Sequence, residues 1–173
     1  MMIRNAEIGD AEAICAIARE VSSNKNMTKE QAHDQYLTYI AYFLDHEPEH
    51  CFVAVDDREV VGYIVGTENP AKYEEKITAY RNRATDKSRI DHERKTVEKF
   101  RNTFPAHLHI NLSARAQGKG MGHELLKAFE RSVHSPIFLG VRDDRPQAIR
   151  FYEKEGFQEI EREPGTILFG KRA

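Results

Sequence analysis

The chain is short of cysteine, of any excess of one charge and of long apolar runs, and each shortage closes off a class of protein. Cys15 and Cys51, the only two cysteines, are too few for the disulfide framework of a small secreted domain, and both fall in apolar helix and strand patterns. They read as buried, reduced thiols of a cytoplasmic protein. Lys and Arg number 26 against 28 Asp and Glu, a formal net charge of −2. Both signs are mixed along the chain, which gives no electrostatic footprint for nucleic acid. No stretch approaches the roughly 20 apolar residues of a membrane span, and Met1 to Asp10 lacks the apolar segment of a signal peptide. Neither nucleic acid nor a membrane is an expected partner.

What is present suits one domain over 1–173, since 173 residues at 40% hydrophobic can fill a single core. Ile14, Ile17, Ala18 and Val21 recur at helical spacing, with Asp10 placed to cap them. Thr28 with Gln31 three residues on reads as a capping box before a helical face of Tyr36, Leu37, Ile40 and Leu44. Phe52–Val55 and Val60–Val65 flank the turn Asp56-Asp57-Arg58 as a hairpin. Leu108–Leu112 alternates as a strand. A helix from about Met121 to Val133, a strand at Ile137–Val141, a helix from about Pro146 to Glu155 and two strands around Gly165 follow. The fold class is α/β (α+β), a mixed sheet with helices on both faces. Residues 68–104 carry both charge signs, with Tyr73, Ile77, Tyr80, Ile90, Val97 and Phe100 spaced as two helices need. They read either as a charged surface excursion or as helices that overhang the site.

Gln117-Gly118-Lys119-Gly120-Met121-Gly122 stands between a strand and a helix start. Glycines there let backbone approach an anion, and the first helical turn offers unpaired N–H groups and the positive end of the dipole. A phosphorylated cofactor is the chemistry that fits. A Walker loop needs Lys and then Ser or Thr after its last glycine, whereas His123 and Glu124 follow Gly122. A dinucleotide fingerprint needs three glycines at another spacing and an acidic residue on the next strand, which here ends in Arg142.

The spacing Gln-x-x-Gly-x-Gly resembles the pyrophosphate loop of the GNAT family of N-acetyltransferases. Three further segments are similar to that family in the right order: Ile3–Ala6 with Gly9–Ile14, then Val60–Gly66, then Ala148–Phe157. The phrase Phe104-Pro105-Ala106-His107-Leu108-His109-Ile110 resembles the acetyltransferase-like group of O-GlcNAcase-type proteins. The resemblance implies a mostly antiparallel sheet with helices on both faces, and an N-acetyltransferase that moves acetyl from acetyl-CoA to a primary amine of a small molecule or protein. It implies that Gly118, Lys119, Gly120, Met121, Gly122 and His123, after Gln117, hold the pyrophosphate, and that backbone at Ile110, Asn111 and Leu112 pairs with the pantetheine arm. Tyr152 matches the family tyrosine that protonates the leaving thiolate. Arg145 departs from the asparagine often found there.

His107 and His109 point to one face of a regular strand, and either accept the amine proton or simply bond within the sheet. The bulge this family carries in the strand could alter that facing. His-x-His can chelate zinc, but the sequence places no third ligand near it, so no metal is expected. A cofactor-binding module without turnover, and a domain whose glycine turn is purely structural, remain open, as does a homodimer.

Overall fold

The computed structural model describes residues 2–172. Seven strands, β1 (Met2–Asn5), β2 (Phe52–Asp56), β3 (Glu59–Thr67), β4 (Ala106–Leu112), β5 (Ile137–Arg142), β6 (Gln158–Glu163) and β7 (Thr166–Lys171), form one sheet in the order β1-β2-β3-β4-β5-β7-β6. Every neighbouring pair is antiparallel except β4 with β5. The helices are α1 (Ala11–Val21), α2 (Lys29–Tyr39), α3 (Ala41–His46), α4 (Pro70–Arg83), α5 (Ser88–Phe100), α6 (Met121–Ser132) and α7 (Pro146–Lys154). The expected mixed sheet with helices on both faces is the fold observed. No helix among the described residues is long and apolar enough to cross a membrane.

Strand alternation divides the core in two. Tyr63 and Val65 of β3 meet Ile14, Leu37, Phe43, Tyr73 and Ile90 from α1 to α5. Ile64, Leu108 and Leu139 meet Leu125 and Phe129 of α6 and Tyr152 of α7 on the other face. Cys51 is buried, whereas Cys15 is only half-buried, and burial pushes both thiols above their ordinary range.

Three local expectations change. Asp10 does not cap α1: its carboxylate accepts from the Glu7 N–H at 2.8 Å and binds Arg4 at 2.7 and 2.8 Å, closing the 3-10 turn before the helix. The Thr28 capping box forms, but its helix does not run on to Leu44, because buried Ile40 leaves helical geometry at φ −137° and separates α2 from α3. Residues 68–104 are no solvated excursion. Tyr73, Ile77, Ile90 and Val97 are all essentially inaccessible, so α4 and α5 are amphipathic helices whose inner faces belong to the core.

Gly66 lets α6 sit directly on β3, since a Cβ there would meet the His107 carbonyl oxygen at 2.4 Å and the Phe129 ring at 2.5 Å. Gly66→Ala should cost about 1–3 kcal/mol through overpacking, read as a lower urea midpoint. An unchanged midpoint would contradict this packing.

Candidate active site

β4 and β5 run parallel but pair only at Ala106 with Ile137 and His107 with Phe138, although each is fully paired on its other side. Beyond His107 they diverge into a wedge. The Ala106 N–H donates to the Pro136 carbonyl on the β5 side at 3.1 Å, and the Ser113 N–H to the Val61 carbonyl on the β3 side at 2.9 Å. Alternation between those ends turns the peptide groups of Leu108, Ile110 and Leu112 into the wedge, where β5 does not pair with them. Gln117 Nε2 donates to the Leu112 carbonyl at 3.3 Å, closing one end. Asn111, expected beside Ile110 and Leu112 as a wedge residue, instead directs its backbone to β3 and its side-chain amide to the Tyr63 hydroxyl at 2.7 Å.

The glycine loop crosses the mouth of the wedge after a 3-10 turn at Ala114–Ala116. Gly118 and Gly120 have φ of +73° and +79°, and a Cβ on either would meet nothing within 4 Å. Glycine is required there by backbone conformation, not by protein packing. The N–H groups of Gly118, Lys119, Gly120, Met121, Gly122 and His123 have no partner among the described residues; the first helical bond runs from the Glu124 N–H to the Gly120 carbonyl. Donors without a well-formed bond therefore lie at the positive end of α6 and in the turn just before it, chemistry that suits an anion. Lys119 is exposed, Met121 is buried in the core, and the His123 ring turns away to Glu155, with Nδ1 2.9 Å from both carboxylate oxygens. Gly122 admits the close approach of Leu112 and Phe151, each 3.3 Å from where its Cβ would lie.

Tyr152 lies on the α6–α7 face, packed between Phe157 and Phe169 with ring centroids 5.9 and 6.1 Å away. Burial raises its pKa against the opposing charge of Arg145, so the phenol stays protonated at neutral pH. Its hydroxyl makes no hydrogen bond within the described chain. The Arg145 guanidinium donates to the Val21 carbonyl at 2.6 Å, which anchors one of its nitrogens to the end of α1, while Arg150 is exposed.

The histidines face the other way. β4 carries no bulge, so both rings lie on the α2–α5 side with centroids 6.0 Å apart. His107 is 1% exposed against Phe43, Tyr73 and Phe138, and neither ring nitrogen has a partner. Burial pushes it down to about 3 despite the Glu93 charge, so it is neutral and sealed, a poor proton acceptor. His109 is partly exposed beside Tyr39, and its Nε2 is 3.1 Å from Glu93 Oε1. Burial works to raise the Glu93 pKa, but the neighbouring His109 outweighs it and the carboxyl sits below its usual range. Thus no contact joins the histidines to Tyr152. Glu93 escaped the sequence reading, hidden in the charge run Asp91–Lys95; its signal was register, three residues after Ile90 and four before Val97 on the inner face of α5.

A model of the acetyltransferase (GNAT) family matches residues 13–157. Among solved structures, a protein described as SsHAT is 24% identical with a TM-score of 0.84, over 99% of this chain and 97% of that chain. A mutant agmatine N-acetyltransferase in its apo form is 14% identical with a TM-score of 0.69, over 99% of each. An N-acetyltransferase from Staphylococcus aureus Mu50 is 18% identical with a TM-score of 0.64, over 99% of this chain and all of that one. These likenesses concern the fold.

Because the Tyr152 hydroxyl bonds to nothing among the described residues, Tyr152→Phe should leave unfolding free energy within about 0.5 kcal/mol of the parent. A larger loss in urea denaturation would reveal a structural role.

Proposed function

The chain belongs to the GNAT acetyltransferase family, and on that premise we propose that it moves an acetyl group from acetyl-CoA to a primary amine of a small molecule or protein. The observation that carries this reading is the juxtaposition of an open sheet wedge with the N–H donors at the positive end of α6. A pyrophosphate on the loop would place the pantetheine arm where β5 leaves β4, its amides extending the sheet against Leu108 and Ile110. The N–H groups of that strand are also the available donors for the oxyanion formed when the carbonyl is attacked.

The free-base amine attacks the thioester carbon, a C–N bond forms, and the C–S bond breaks with its electron pair leaving on sulfur. Tyr152, protonated and carried by α7 on the same sheet face as α6, gives its proton to that thiolate. The proton released by nitrogen restores the phenol through solvent, so the products are an amide and a neutral thiol. Phe151, Phe157 and Phe169 keep the phenol in a poorly hydrated environment.

Calorimetric titration with acetyl-CoA, with ATP and NAD as controls, should show selective binding. Gly120→Asp should raise the Kd by roughly tenfold or more, because it puts a side chain and a negative charge at a positive-φ position facing the pyrophosphate. Unaltered binding would sink the loop assignment. Tyr152→Phe should lower kcat for thiol release on the order of 10²-fold while leaving the acetyl-CoA Kd nearly unchanged. Full activity in that variant would remove Tyr152 from the chemistry, and binding without thiol release from any amine would favour a cofactor-binding module.

A further inference from the structure

We propose that Glu93, His107 and His109 form a binding site for one zinc-like divalent cation, joining α5 to β4 beside the wedge. One ligand atom from each of the three residues lies within 4.8 Å of the others. Two imidazoles and a carboxylate are a common protein donor set for zinc with an open position. The His109 Nε2 to Glu93 Oε1 distance, 3.1 Å, is already close to the roughly 3.3 Å edge expected of a tetrahedron with 2.0–2.1 Å metal bonds. Binding would require the His107 ring, whose ligand atom lies within 4.8 Å of the other two, to turn within its packing against Phe43, Tyr73 and Phe138.

A second observation is independent of that spacing. Six buried side-chain polar atoms lack a well-aligned hydrogen-bond partner among the described residues; three of them are the Tyr73 hydroxyl and both ring nitrogens of His107, which take no part in the Glu93–His109 contact. Orphaned buried donors and acceptors are costly and rare, and a local concentration of them marks a place where something binds. A cation would take one nitrogen from each histidine, beside the Tyr73 ring, whose centroid is 5.1 Å from that of His107.

The surroundings suit a borderline-soft ion. Phe43, Tyr39, Tyr73 and Phe138 form an aromatic wall around the imidazoles, and Glu93 supplies formal negative charge. Arg94, the next residue, has Nη1 3.8 Å from Asp91 Oδ1 while its buried Nε is unpartnered and its charge reaches Tyr73, so the ion would share this region with a guanidinium. Magnesium and calcium prefer six or more oxygen ligands and are poor candidates. The His109 and Glu93 side chains remain 20% and 16% exposed, so that side of the site borders solvent. The inference uses these residues alone and does not depend on the transferase reading.

The test is titration of tag-free, chelator-stripped protein with zinc chloride, by calorimetry and by competition with a chromogenic chelator, with cobalt chloride for its visible spectrum. One zinc per chain is expected, with an intense tetrahedral-type cobalt band and a rise in Tm on adding zinc. Glu93→Gln and His109→Gln, both at partly exposed positions, should weaken zinc binding by roughly tenfold or more and abolish the Tm rise. Acetyl-CoA binding, measured on the same variants, should be retained, which separates this site from the cradle. No zinc uptake at micromolar concentrations would overturn the proposal. So would uptake that is undiminished in both variants, since the ion would then lie elsewhere.

Discussion

The interaction on which the rest depends is one that β4 and β5 fail to make. Two parallel pairs join the strands at Ala106 and His107, after which β4 follows β3 and β5 follows β7. A sheet interior normally leaves no peptide group unpaired, because each orphan costs the free energy of a lost hydrogen bond. Here a row of such groups is left facing a gap, and the fold places around it what a ligand bridging the gap needs. The glycine loop follows the diverging end of β4, α6 begins at that loop, and α7, which carries Tyr152, follows β5.

The sheet also separates two kinds of chemistry. The α6–α7 face holds the loop, the phenol and the core around Phe129 and Phe169. The opposite face holds the histidines, Glu93 and the helices contributed by residues 68–104. Those helices are fastened by buried apolar residues and by polar ties: the Tyr80 hydroxyl donates to Asp45 at 2.6 Å, and Arg81 binds Asp91 at 2.5 and 2.8 Å. Glu47, buried between α3 and β3, accepts from the hydroxyls of Tyr42 at 2.5 Å and Thr67 at 2.6 Å, fixing the end of β3 from which α4 departs. Charge along α5 therefore does two jobs, solvation on its outer side and a single carboxylate delivered inward.

Much of this was legible in the residues. The loop, its glycines and the tyrosine helix are local patterns of two to ten residues, and the structure places them as their spacing implies. The common facing of His107 and His109 was readable from strand period alone, because no bulge interrupts β4. What could not be read depends on contacts between segments far apart. The partner of His109 comes from 16 positions upstream, on a helix whose charged outer face masks its buried one. The sealing of His107 is set by Phe43, Tyr73 and Phe138 from three different elements. The break at Ile40 and the diversion of Asp10 to Arg4 are likewise tertiary choices that override local propensity.

In the proposed reaction the wedge and the loop act as one cofactor site. Amide hydrogen–deuterium exchange with and without acetyl-CoA tests it most directly, since each unpaired N–H is an exchange reporter. Protection is predicted for peptides covering residues 118–123 and for those covering the wedge side of β4, at Leu108 and Ile110, together and at the same ligand concentration. Protection confined to other segments, or of the loop without β4, would contradict it.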